Sequence, residues 1–341
     1  MAKKGSTWSK AAAGLALAAL LTLPGLANAQ DATVTPYEPT DAVAELEGQI
    51  AVDGSSTVGP IMEAVAEEFL AVAPNVQVTV DISGTGGGFK RFCAGETDVQ
   101  NASREIKDEE RALCAEAGVD YYELELAYDG LAVVVNSEND FLDCLTVEQL
   151  QAIWAPDSTV MNWSDVNAEW PAEPIALYGP GTDSGTFDYF TAEIVGEEGA
   201  SRTDFTPSED DNVLVEGVAG DEFSLGYFGL AFYEANADRL KLIAVDGGAG
   251  CVVPSAETVQ DGTYAPLSRP LYVYVKAESL ARPEVQEFVR FAVASAQDLV
   301  EEVGYVQSPV ETYVADQTKI EGAIAGEAAP DGPEVVATPS A

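Results

Sequence analysis

Histidine is absent from all 341 residues of the chain. That absence excludes serine-histidine-aspartate and cysteine-histidine nucleophilic machinery and histidine-rich zinc sites, since each needs an imidazole as base or ligand. Basic residues are scarce too: 16 Lys and Arg stand against 58 Asp and Glu, a net charge of −42. Nucleic acid and anionic membrane surfaces are therefore poor partners. The same shell repels small anions, so any anion site must rest on local N–H groups and a few buried cations. Long apolar runs are missing after the first two dozen residues. The start itself has a basic segment (Lys3, Lys4, Lys10), an apolar core at 11–23 interrupted by Pro24 and Gly25, and the small-x-small triplet Ala27-Asn28-Ala29. This is the layout of a secretory signal cleaved after Ala29, with a core shorter than the roughly 20 residues that span a bilayer. No cysteine follows that could carry a lipid. The expected mature protein is thus periplasmic or secreted, and losing three lysines and no acid deepens −42 to −45. Cysteine is rare, but Cys93, Cys114, Cys144 and Cys251 in an exported chain suggest two disulfides, with three possible pairings.

Residues 30–48 are polar, acidic and broken by Pro36 and Pro39, which predicts a flexible leader. Gln49–Val52 reads as a strand entering Asp53-Gly54-Ser55-Ser56-Thr57, and Pro60 suits the first turn of a helix with Ile61, Val65, Phe69 and Val72 on one face. Val76, Val78, Val80 and Ile82 alternate as a second strand, delivering the chain to the Gly84–Gly88 turn and another helix. Strand, loop, helix, strand, loop, helix is an α/β pattern with parallel strands. Lys107–Ala117 reads as a helix, and Tyr121–Leu126 and Leu131–Val135 as strands separated by Asp129-Gly130. Thr146 caps a helix with Gln149 completing a capping box. Ile175–Tyr178 leads into a third polar loop, 179–186, and a helix face of Phe187, Phe190 and Ile194. Leu225–Phe232 suits a buried strand and turn. Leu240–Val245 and Leu271–Val275 are further strands, Pro283–Val300 a long helix, and the stretch from about 321 to Ala341 a disordered tail.

Three segments share one form, a strand, a turn of Ser, Thr and Gly, then a helix: 54–57, 83–88 and 182–186. One alone reads as a capped turn, because Ser and Thr are favoured N-caps. Three together, with Ser103-Arg104 directly after a strand, suit an anion. Helix N-termini converge at the carboxyl ends of parallel strands, and an arginine fork matches a tetrahedral oxyanion. Asp183-Ser184-Gly185-Thr186 matches an aspartic-protease tetrapeptide, but there is no second copy and no all-β pattern. Gly84–Lys90 lacks the ending of a P-loop.

Asp53–Val58, Ser83–Phe89, Asn101–Arg104 and Thr182–Phe187 together resemble, in order, the phosphate-binding protein of the phosphate ABC transporter, over about residues 49–308. The resemblance implies an α/β type II periplasmic-binding-protein fold, two lobes with a ligand cleft between them. Lobe 1 would be 49–130 with 271–320 and lobe 2 131–270, with crossovers near 128–134 and 267–273. By motif, Ser56 and Thr57, with Ser55 beside them, would donate from the first loop, Thr85 and Gly86 from the second, and Ser184, Gly185 and Thr186 from the third, with Ser103 and Arg104 alongside. In the best-known branch an aspartate stands at the position of Arg104 and an arginine at that of Pro180, so the cation here has changed walls. A carboxylate that accepts the ligand's proton would favour phosphate over sulfate; Asp183 is the first candidate and Asp129 the second. Cys93–Cys114 would close a local loop and Cys144–Cys251 would lie within lobe 2. The implied protein is a monomeric, non-catalytic receptor that needs no metal or organic cofactor and delivers inorganic phosphate to a membrane permease. The rivals are a receptor for sulfate, molybdate or arsenate, a secreted phosphate-ester hydrolase, and a surface or structural protein whose loops only cap helices.

Overall fold

The structure, a computed structural model, describes residues 32–182 and 184–326. The expected signal segment and the far end of the expected tail lie outside these residues. The first elements are β1 (Gly48–Gly54), α1 (Gly59–Val72), β2 (Val76–Ile82), α2 (Thr85–Cys93), β3 (Val99–Ala102), α3 (Asp108–Ala117) and β4 (Tyr121–Asn136). Next come β5 (Cys144–Thr146), α4 (Val147–Trp154), α5 (Trp163–Val166), β6 (Ala176–Pro180), α6 (Gly185–Phe190), β7 (Thr206–Ser208), α7 (Asp211–Ala219), β8 (Ser224–Gly229), α8 (Leu230–Glu234), β9 (Leu240–Asp246), β10 (Cys251–Val252) and α9 (Ala256–Gln260). The chain finishes with β11 (Ser268–Lys276), α10 (Pro283–Glu302), β12 (Val306–Gln307) and α11 (Val310–Ile324).

Strands β2, β1 and β3 run parallel, as their apolar alternation and intervening helices require. β11 joins them antiparallel on β3, and β4 pairs antiparallel with β11. The far half of β4 then pairs with β8 and β9, and β6 and β7 extend the sheet parallel to β8. β4 is a single strand of 16 residues, not the two strands expected on either side of Asp129-Gly130. An Asp-Gly pair usually marks a turn. Here Asp129 faces Arg269 across the ladder and the strand runs on.

The buried apolar residues gather into two main cores. One lies beneath α1, α10 and α11, around Val52, Val65, Phe69, Val273, Phe288 and Tyr313, with a satellite of Phe89, Phe92, Tyr121 and Tyr274 under α2 and α3. The other gathers Val133, Trp154, Trp163, Phe190, Leu225 and Tyr227, with Phe190 and Tyr227 stacked 3.7 Å apart. Cys93–Cys114 ties α2 to α3, and Cys144–Cys251 ties β5 to β10. The capping box of α4 forms as its sequence indicates, Gln149 N–H donating to Thr146 Oγ1 at 3.2 Å.

Two terminal segments are better anchored than their composition suggests. Thr35 and Gln317 exchange hydrogen bonds of 2.9 and 2.7 Å, and Tyr37 donates to Glu287 and packs edge-on against Phe291. At the other end, residues 321–324 complete α11. Neither segment is apolar enough to signal this by itself. Each is held by a surface that only the folded α10–α11 pair provides.

Asp211 opens α7, and burial, reinforced by the charges of Asp210, Glu209 and Asp129, pushes its carboxyl up to about 7 from an ordinary 3.8. The folded state therefore holds this proton more tightly than the unfolded chain. Its contribution to stability is complete below the ordinary value and is lost as pH rises toward the folded one. We expect the melting temperature to fall between about pH 4 and pH 8, and Asp211→Asn to flatten that slope; a calorimetric pH series on both proteins checks it.

Candidate functional site

The parallel strands β1, β2 and β3 end at the same edge of their sheet, where α/β proteins collect ligands. A cavity of about 680 Å³ opens there. Its first wall is the turn after β1. Ser55 N–H donates to Asn101 O at 2.9 Å and Thr57 N–H to Ser55 Oγ at 3.2 Å, so Ser55 folds the turn and both residues are buried. Ser56 is half-buried and belongs to the lining.

The second wall is the start of α2. Its first amides, those of Thr85, Gly86 and Gly87, have no carbonyl a turn behind them and carry the positive end of the helix dipole. Thr85 Oγ1 accepts Ser103 N–H at 3.2 Å, and Gln100 Nε2 donates to Thr85 O at 3.0 Å, which fixes the helix start against β3. Gly88 makes this approach possible, because a Cβ there would sit 2.6 Å from Gly54 Cα.

Two arginines reach the cavity. Arg104 grips Glu110 with two bonds of 2.8 Å and lies over the Phe89 ring. Burial opposes the charge of Glu110, yet the Arg104 fork and the Lys107 amide hold its carboxyl below the usual range. Arg269, on β11, is the better enclosed. Its guanidinium bonds Asp129 Oδ2 at 3.1 and 3.2 Å, donates to Thr57 Oγ1 at 2.8 Å, comes within 3.5 Å of Gly185 O, and stacks 3.6 Å from the Tyr189 ring centroid. One side chain thus meets the first loop, the third loop and the partner crossover strand. Asp129 is fully buried. Desolvation pushes its carboxyl up, Arg269 pulls it down, and its Oδ1 has no partner among the described residues.

Of the residues singled out from sequence, Ser55, Ser56, Thr57, Thr85, Gly86, Ser103, Arg104 and Gly185 all line this cavity. Ser184 and Thr186 do not. Ser184 caps α6, its Oγ accepting Thr186 N–H at 3.2 Å, so cap and amide satisfy each other. Asp129 lies beneath the lining, engaged by Arg269. Asp183 lies outside the described residues. Sequence reasoning missed Arg269, Lys107, Asp188 and Tyr189, all in the lining. Lys107 makes no ion pair among the described residues, whereas both arginines have an acid. One signal could have found Arg269: the crossover stretches 128–134 and 267–273 hold one charged residue each, Asp129 and Arg269, of opposite sign, and a buried charge needs a partner.

Helix starts and arginines around one cleft, with paired strands passing between two cores, define a two-lobed ligand receptor. Residues 39–296 match the PBP superfamily domain, and the chain belongs to that family. It is similar to "Protein SphX" of Synechocystis sp., at 51% identity over 267 residues, 77% of this chain and 80% of that protein. It is similar also to "Phosphate-binding protein PstS" of Staphylococcus saprophyticus, at 40% over 287 residues, 84% and 88% of the two chains. Among solved structures, a possible phosphate binding protein from Planctomyces limnophilus aligns with a TM-score of 0.78 at 48% identity, covering 82% of this chain and 99% of that one.

Proposed function

We propose that this chain is an exported receptor that captures inorganic phosphate in the cavity and delivers it to the membrane permease of an ABC transporter. The observation that carries this reading is the convergence of the Ser55–Thr57 loop, the α2 N-terminus, Ser103-Arg104, Gly185 and Arg269 on one cavity at the crossover strands. Among its relatives the Staphylococcus protein is named for binding phosphate. A putative phosphate ABC transporter substrate-binding protein from Clostridium perfringens is described with phosphate bound; it aligns at a TM-score of 0.51 and 28% identity, over 76% of this chain and all of that one. Residues 49–130 with 271–320 move as one lobe and 131–270 as the other, and closure excludes water, which strengthens every N–H···O contact.

Phosphate is held by hydroxyls and amides of the first two loops, with Ser56, Thr57, Thr85, Gly86 and Ser103 as donors and Arg104 and Arg269 as cations. Asp183, next to the Ser184 cap, accepts the ligand's proton. Asp183→Asn is expected to erode discrimination against sulfate while leaving phosphate binding within a few-fold, measured by competition titration; undiminished selectivity would remove Asp183 from the role. Arg104→Ala is expected to weaken phosphate binding at least tenfold, about 1.4 kcal/mol, because it removes a cation from the lining and leaves the Glu110 carboxylate behind it without its arginine.

The family is one of transport receptors, and the proposed role involves no bond making. Adding phosphate is expected to raise the melting temperature, as any ligand of the folded state does. Sulfate, molybdate and arsenate serve as comparisons. Turnover of a chromogenic phosphomonoester by pure protein would point to a hydrolase instead, and no thermal shift with any oxyanion would remove the receptor reading.

A further inference from the structure

Asp53, at the end of β1, has a fully buried side chain and carries four hydrogen bonds. Its Oδ1 accepts Gly54 N–H at 2.8 Å and Ser83 N–H at 3.1 Å. Its Oδ2 accepts the Ser83 hydroxyl at 2.8 Å and Arg91 at 2.6 Å. A turn-closing aspartate would need only the Gly54 bond. The other three come from 30 or more residues away, from the residue that opens the second loop and from the last turn of α2. One carboxylate therefore ties the strand feeding the first loop to both ends of the loop–helix unit that forms the second wall. It also occupies the Ser83 hydroxyl, so Ser83 lines the cavity without offering that proton to a ligand.

A buried negative charge behind an anion cradle works against the cradle unless something cancels it. Arg91 does so directly, and it also approaches Asp81 and Glu96 at 3.5 and 3.3 Å. We propose that Asp53 and Arg91 act as a positioning pair, a splint that fixes the spacing of the first two loops and cancels its own negative charge, so that no net charge stands behind the donors of those loops. The affinity consequence rests on the phosphate reading above. The ordering of the loop does not.

Four variants separate this from a purely structural bond. Asp53→Asn keeps an acceptor for the Gly54 and Ser83 amides but loses the charge and the Arg91 bond. Arg91→Ala leaves the carboxylate buried and uncompensated. The double variant removes both charges. In titrations with inorganic phosphate, Arg91→Ala is expected to bind at least tenfold more weakly, and the double variant to recover a substantial part of that loss. In ligand-free protein, exchange of the Gly88 amide, which donates to Gly84 O at 2.9 Å and closes the first turn of α2, is expected to quicken in Asp53→Asn. A double variant no tighter than Arg91→Ala, or unchanged exchange in Asp53→Asn, would overturn the proposal. Failure of the wild-type chain to take up phosphate would count against the receptor reading alone, since the exchange measurement tests the splint without ligand. Arg91→Lys, which restores the charge, is expected to return affinity to within a few-fold of wild type; no recovery over Arg91→Ala would overturn the charge-cancelling role.

Discussion

Arg269→Ala is expected to weaken phosphate binding by a hundredfold or more, about 2.7 kcal/mol. Arg104 already shares its fork with Glu110, and Arg269 is the cation placed where the first loop, the third loop and the crossover strands meet. Its loss removes positive charge from the cleft, the bond to Thr57 Oγ1, and the contact near Gly185 O, all at once. The variant will also be less stable, because Asp129 is left buried without its partner, a change that typically costs about 3–5 kcal/mol. Adding Asp129→Asn separates the two effects. The double variant is expected to regain most of the melting temperature, since a neutral amide tolerates burial better than an unpaired carboxylate, yet to bind phosphate no better than Arg269→Ala. Recovery of binding along with stability would mean that Arg269 serves the fold and not the ligand.

Gly185→Ala is expected to reduce affinity at least tenfold through closure alone, an effect of about 1.4 kcal/mol or more. A Cβ at Gly185 would stand 2.7 Å from Thr57 Oγ1, 2.8 Å from Thr57 N and 3.0 Å from Thr57 Cα. Two of those atoms are backbone, so no rotamer relieves the clash and the loops must separate. Gly185 sits in the first turn of α6, where alanine is a better helix former than glycine, so the lobe itself gains rather than loses local stability. Small-angle scattering distinguishes the outcomes. The wild-type radius is expected to contract when phosphate is added and that of Gly185→Ala to stay nearly constant at an unchanged melting temperature. Equal contraction in both would show that the two loops need not touch for the ligand to be held.

The parts of the fold legible in the sequence are those specified by neighbours along the chain. Alternation at Val76–Ile82, helical spacing from Ile61 to Phe69 and the Thr146–Gln149 box each carry their own signal, and all three formed. The first and second loops were legible for the same reason: a turn of Ser, Thr and Gly between strand and helix is a local pattern. What escaped depends on residues far apart in the chain. Asp129-Gly130 has the composition of a turn, and only its pairing with Arg269 and Ser268 on β11, some 140 residues later, keeps β4 continuous. Arg269 itself sits in a strand with no turn, cap or motif beside it, so nothing local marks it as part of a site. Ser184 and Thr186 show the converse. Their motif is as clear as that of the first loop, but cap and amide satisfy each other and neither side chain reaches the lining.

The most direct measurement is isothermal titration of the refolded, ligand-free mature protein with inorganic phosphate in the presence of a thousandfold excess of sulfate. The account predicts one phosphate per chain, bound with little loss of affinity to the sulfate. A titration showing no heat of binding, or one in which sulfate displaces phosphate, would contradict it.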